Sequence, residues 1–202
     1  MNPSVIYSIP SKKINYPEFL YIDTNVLAEI GLNRRYKTKL VDFMKQAAVN
    51  DTMFVCSTHM YDELKQTIHV EVLKKEMVNL QFVPDSKIKK PDWKQFEDTD
   101  VNIGSTTISK FNSIVTRIKS ITSNTIIDLE DLPTREIQTV TDSYIGIGIA
   151  PKDAKHSALM NLHGVNNILT IDKGFTKVPD INIYSPNMTK KGDKPNNFVS
   201  VK

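Results

Sequence analysis

Two short apolar runs in this chain end in an aspartate, and that pairing limits the folds open to it. Phe19-Leu20-Tyr21-Ile22 leads into Asp23, and Val165 to Ile171 leads into Asp172. An uninterrupted apolar run of this length reads as a strand buried on both faces, as in a parallel sheet covered by helices on each side. Met53-Phe54-Val55-Cys56 has the same character. Between such runs the apolar spacing changes to the helical period: Tyr36, Leu40, Phe43, Met44 and Ala47 in one stretch, Ile108, Phe111, Ile114, Val115, Ile118 and Ile121 in another. Strands alternating with helices predict an α/β layer fold with a mostly parallel sheet. Right-handed crossovers gather the strand C-termini on one edge, where such sheets bind ligands.

Strands are expected at 18–23, 52–57, 166–171 and 181–184. Helices are expected at 24–32, 34–49, from a Ser57 or Thr58 cap to about residue 81 with a break near His69, at 105–121, at 134–149 and at 152–162. Gly164 is the candidate closing residue of that last helix. Ile145-Gly146-Ile147-Gly148-Ile149 also alternates like a strand, and 123–132 is ambiguous. Pro3, Pro10 and Pro17 mark residues 1–17 as an irregular lead-in. The expected organisation is one domain over 1–185 with an inserted, partly helical segment at 84–133, then a flexible tail at 186–202.

A chain of 202 residues with a formal charge of +3 has room for a sizeable core and does not announce nucleic acid by charge alone. Its single cysteine, Cys56, excludes an internal disulfide and suits a reducing compartment. No stretch approaches the apolar length of a membrane-spanning helix, and the first residues lack a signal-peptide pattern. The expected location is cytoplasmic, with no membrane partner.

Glu63 falls in the opening turns of the helix after Met53–Cys56, and Asp153 opens Pro151-Lys152-Asp153-Ala154-Lys155-His156. Taken singly, each acid has an ordinary reading. Asp23 suits a helix N-cap, Asp172 a turn before Gly174, Asp153 the positive end of a helix, and Glu63 a solvated helix face. Taken together, Asp23, Glu63, Asp153 and Asp172 would converge on the sheet edge if the strands before Asp23 and Asp172 are neighbours. Like charges that close destabilise one another unless a cation joins them. Oxygen donors select Mg²⁺ or Mn²⁺ over zinc, and zinc is set aside because His59, His69, His156 and His163 show no paired metal-ligand spacing with cysteine. His156 shares a helix face with Asp153, three residues away, and reads either as packing or as a neighbour of the pocket.

The motifs Tyr21-Ile22-Asp23-Thr24-Asn25-Val26-Leu27, Asp62-Glu63-Leu64, Asp153-Ala154-Lys155-His156-Ser157-Ala158 and Thr170-Ile171-Asp172-Lys173-Gly174-Phe175 resemble the PIN domain, a family of metal-dependent ribonucleases that includes the VapC-like toxins. The resemblance covers residues 18–83 and 134–184. It implies a three-layer α/β/α fold, and the helical insertion at 84–133 is where this sequence departs from the compact family pattern. It implies that Asp23, Glu63, Asp153 and Asp172 are catalytic metal ligands for Mg²⁺ or Mn²⁺, supported by Asn25 and Thr170. The implied activity is hydrolysis of RNA phosphodiester bonds, as the toxin of a toxin–antitoxin pair. The implied partners are RNA and an antitoxin or other protein, with a homodimer as a further expectation. Lys155, Lys173, Lys87 and Lys90 are candidate phosphate contacts; the last two sit in a basic loop whose plain reading is a solvated surface. The alternative is a PIN-like module that binds nucleic acid or protein without cleaving. A phosphatase of the haloacid dehalogenase type would want a second aspartate where Asn25 stands.

Overall fold

A computed structural model describes residues 4–9, 14–80, 102–123, 125–130, 132–188 and, for the backbone alone, 198–201. Seven strands form one sheet: β1 (Ser4–Ser8), β2 (Phe19–Ile22), β3 (Met53–Cys56), β4 (Ile126–Asp128), β5 (Asn167–Leu169), β6 (Asn182–Ser185) and β7 (Phe198–Val201). The helices among the described residues are α1 (Thr24–Gly31), α2 (Lys37–Val49), α3 (Thr58–Asn79), α4 (Asn102–Ile121), α5 (Thr134–Gly146) and α6 (Pro151–Leu162). A short 3₁₀ turn, Lys173–Lys177, follows β5. The strand order is β4-β3-β2-β5-β6-β1-β7, and every pairing is parallel.

That order creates a switch point. From β2 the chain steps outward through β3 to β4, then returns to the other side of β2 as β5 and continues outward through β6. The crevice between diverging crossovers opens where β2 and β5 end side by side, with Ile22 opposite Leu169 and the Asp23 amide donating to the Leu169 carbonyl at 3.0 Å. The adjacency on which a joint acidic site depends is therefore present.

Alternation along the strands builds the layers. Leu20, Ile22, Phe54, Cys56 and Leu169 face a core shared with α1, α2, α3 and α4. Tyr21, Val55, Ile168 and Ile183 face the opposite core, with Ala154 and Met160 of α6 and Phe175 of the 3₁₀ turn. The sheet thus lies between two helical layers, the three-layer arrangement expected. Ser57 caps α3 by accepting from the Met60 amide at 3.2 Å. Gly164, at φ +67°, supplies the left-handed residue just past α6.

Several expectations change. The helix after Ser57 runs unbroken through His69 to Asn79, because Leu64, Ile68, Val72 and Leu73 keep it buried throughout. Residues 145–149 form a helix end and turn, with Gly148 at φ +87° breaking the strand-like alternation. The proline-bracketed lead-in contains β1, which pairs with β6 and β7. Within the expected tail, Phe198–Val201 pairs with β1 as edge strand β7, and 189–197 lie outside the described residues. The inserted segment contributes α4, whose Ile103, Ile114, Ile118 and Ile121 join the main core, while Ile108 of the same stripe stays 50% exposed. Its basic loop, with Lys87 and Lys90, lies outside the described residues. Among the described residues, no helix is long and apolar enough to cross a membrane.

Candidate functional site

Asp23 follows β2 at the N-cap position of α1, yet its side chain makes no capping hydrogen bond. The carboxylate turns across the switch point instead. Thr170, just past β5, donates its hydroxyl to Asp23 Oδ2 at 2.6 Å, and the Asn25 amide nitrogen reaches the same oxygen at 3.4 Å. Thr170 Oγ1 also accepts from the Asp172 amide at 2.9 Å, so one hydroxyl ties the two aspartate-bearing loops together. Asp172 Oδ1 in turn accepts from the Gly174 amide at 2.8 Å, which serves the turn and fixes the carboxylate.

Asp153 enters from the first turn of α6. Its position is marked by Gly174: a Cβ there would overlap Asp153 Oδ2 and stand 3.3 Å from Asp172 Oδ1. The glycine is needed for space, since two carboxylates crowd against its Cα. Their charges bear on one another accordingly. Burial, then the Asp172 and Asp23 charges, push the Asp153 carboxyl up to about 6. Burial raises Asp23 as well; Asp172 adds to the rise, while His156 and the Thr170 hydroxyl oppose it. Burial and neighbouring carboxylates thus disfavour the ionised forms of Asp153 and Asp23, which meet Asp172 from separate stretches of chain.

Glu63, in the second turn of α3, has a different environment. Thr24 donates to its Oε2 at 3.0 Å, and His156 Nε2 lies 2.9 Å from the same oxygen. Lys152 Nζ stands 3.2 Å from Oε1, and His59 Nε2 stands 3.7 Å from it. Burial works to raise the Glu63 carboxyl, but the hydrogen bond and charge of His156, the Lys152 ammonium and the Thr24 hydroxyl hold it at about 2. Glu63 feels the aspartates more weakly than they feel one another: its charge comes last among those raising Asp153.

His156 is itself held from behind. Its Nδ1 lies 2.8 Å from the Tyr21 hydroxyl, which lies 2.7 Å from Ser57 Oγ. A carboxylate can only accept, so His156 Nε2 donates to Glu63; for a neutral ring, Nδ1 then accepts from Tyr21. Burial raises the Tyr21 hydroxyl far above its ordinary value, so it stays protonated. His156 belongs to the pocket wall, one of the two readings its place beside Asp153 allowed. Tyr21 carries no sequence signal for this role, because it looks like one more apolar residue of β2. Lys152 and His59 could be found only by knowing that α3 and α6 converge.

The structure therefore draws Asp23, Asp153 and Asp172 together around Thr170 and Gly174, with Glu63 at the adjoining His-rich end. Asn25 and Thr170 touch Asp23 directly. Lys155 is half-buried on α6 close enough for its charge to lower His59, and Lys173 is exposed beside Asp172. Buried Cys56, its thiol pushed up to about 12 by desolvation, is a core residue.

The donor chemistry fits a hard divalent cation: clustered carboxylates, oriented by a hydroxyl, an amide and a backbone N–H. Asp23, Asp153 and Asp172 would hold such an ion, with Glu63 contributing from the adjoining side.

No family model and no curated protein matches the chain. Among solved structures, a chain of VapBC2 from Rickettsia felis bound to a DNA fragment from their promoter superposes with a TM-score of 0.50 at 14% identity, covering 83% of this chain and 98% of that one. A chain of FitAcB from Neisseria gonorrhoeae superposes with a TM-score of 0.46 at 18% identity, covering 83% and 97%. The likeness to the VapBC2 chain is one of fold alone.

Proposed function

We propose that this chain is a divalent-metal-dependent endoribonuclease in which Asp23, Glu63, Asp153 and Asp172 form the catalytic metal site. One observation carries the reading. Three carboxyl groups meet at the switch point from β2, β5 and α6, and the Asp172 charge works against the ionised forms of Asp23 and Asp153. A fold keeps such a conflict where a cation resolves it. Mg²⁺ or Mn²⁺ would supply the charge that activates water and offsets the scissile phosphate. Asp23 is aimed by Thr170 and Asn25, Asp172 by the Gly174 amide, and Asp153 rests where Gly174 leaves room. Lys173 and Lys155 would draw the RNA backbone to the rim.

A toxin role, with an antitoxin as protein partner, rests on the motif resemblance and on the fold shared with the VapBC2 chain. Asp23→Asn tests the core of the proposal. It should lower metal-dependent cleavage of RNA by more than about 100-fold, beyond the loss typical of an outer-shell change, with the circular dichroism spectrum unchanged. Full activity in that variant would remove the reading, and failure of the wild type to bind Mn²⁺ would favour a non-cleaving binding module.

A further inference from the structure

Beside the carboxylates lies a second donor cluster of different chemistry. Among the described residues, the side chains of His59, Glu63 and His156 offer ligand atoms that all lie within 4.8 Å of one another. His59 and Glu63 stand one turn apart on the same face of α3, and His156 meets them from α6. His59 Nε2 is buried and has no hydrogen-bond partner among the described residues. Glu63 Oε1 has no well-formed hydrogen bond either, only the Lys152 ammonium 3.2 Å away as an ion pair. A buried imidazole nitrogen with nothing to bond to, facing a carboxylate oxygen, is an arrangement that a shared ligand would complete.

We propose that His59, Glu63 and His156 form a second metal position, selective for a borderline transition ion such as Zn²⁺ rather than for Mg²⁺. Two imidazoles and one carboxylate are the donor set of three-ligand zinc sites that keep a fourth position open. Tetrahedral donors around zinc lie about 3.3 Å apart. His156 Nε2 stands 2.9 Å from Glu63 Oε2 and His59 Nε2 stands 3.7 Å from Glu63 Oε1, so the two imidazoles flank one carboxylate, and with all donor atoms within 4.8 Å of one another side-chain rotation would draw them onto one ion.

The groups behind the cluster permit the exchange without a net proton in the second shell. On binding, His156 Nε2 gives up its hydrogen bond to Glu63 and its lone pair faces the ion, while the ring proton resides on Nδ1. Nδ1–H then donates to Tyr21, the Tyr21 hydroxyl turns to donate to Ser57 Oγ, and the Ser57 O–H, which had donated to Tyr21, rotates away, leaving Oγ to accept from both Tyr21 and the Met60 amide. Tyr21 is thus the outer partner that orients a metal-bound histidine. Lys152, whose side chain is 74% exposed, is the occupant that leaves.

The position adjoins the proposed nuclease centre through Glu63 but does not depend on cleavage activity. Zinc titration of the full chain by calorimetry, with long-range ¹H–¹⁵N spectra of the four histidine rings, tests it. Zinc should shift the Nε2 signals of His59 and His156 and leave those of His69 and His163 in place. His59→Ala should weaken zinc binding by more than about 100-fold, and Tyr21→Phe by about 10- to 100-fold, the range of an outer-shell loss. An Asp153→Asn, Asp172→Asn double variant should still bind zinc. Unchanged zinc affinity in His59→Ala, or loss of zinc in the double variant with His59 and His156 signals unmoved, would overturn the proposal. Loss of Mn²⁺-dependent cleavage alone would bear on the carboxylate site and not on this one.

Discussion

Asp23 shows most plainly why position outweighs residue type. An aspartate before a helix ordinarily caps it; here the carboxylate forgoes the cap and takes a 2.6 Å bond from Thr170 across the sheet edge. Thr170→Val keeps the shape and removes that donor. It should weaken Mn²⁺ binding by about 10- to 100-fold while shifting the melting temperature little, as calorimetry with a thermal melt would show. Asp153 gives the matching pH prediction. Its folded pKa of about 6 lies above the ~3.9 of an unfolded aspartate, so its contribution to stability is fully present below ~4 and is lost as pH rises through about 6. Glu63 has the opposite sign. Held at about 2, it contributes stability above its unfolded value of ~4.3 and loses it as pH falls toward 2. The metal-free protein should therefore lose stability through Asp153 as pH rises from ~4 to about 6, and Asp153→Asn should recover about 1–2 kcal/mol at pH 7 in chemical denaturation, allowing for screening at a half-buried carboxyl. Asp23 and Asp172 were legible in the sequence because each ends an apolar run. Glu63 was legible only through a motif resemblance, since one acid in a helix carries no signal of its own. The partners Tyr21, Thr24 and Lys152 were not legible, because their roles exist only once α1, α3 and α6 meet.

Among the elements, two glycines hold the design to close tolerances by space rather than by backbone conformation. Gly174 admits the Asp153 carboxylate, and Gly31, at the end of α1, admits the Ile114 side chain of α4. Gly31→Ala forces Ile114 aside and should cost about 1–3 kcal/mol in denaturant titration, the usual range for overpacking. Gly174→Ala displaces Asp153 instead, so its signature should be weakened Mn²⁺ binding of at least about 10-fold with the fold retained. The longer elements follow from the sequence because helical stripes and two-faced apolar runs are strong patterns. The strands β1 and β7 escape it. Each is short, the first is bracketed by Pro3 and Pro10, and the second follows a stretch rich in Lys and Asn. Their pairing is decided by open edges, that of β6 for β1 and that of β1 for β7, which no local pattern announces. The inserted segment is similar: its stripe predicts a helix, while its place against α1, α2 and α3 comes from packing.

For the whole molecule, the parallel order β4-β3-β2-β5-β6-β1-β7 matters because it sets β2 beside β5 and so makes one recess of three distant carboxylates. An ion that binds the folded chain and not the unfolded one stabilises it by mass action. Mn²⁺ at 100 times its dissociation constant should add about 2.7 kcal/mol at pH 7 and much less at pH 5, where Asp153 binds a proton instead. The most direct measurement is the anomalous scattering of a crystal soaked in Mn²⁺. The account predicts a manganese peak within coordinating distance of Asp23, Asp153 and Asp172. Manganese absent from that recess, with those carboxylates apart and the ion elsewhere, would contradict it.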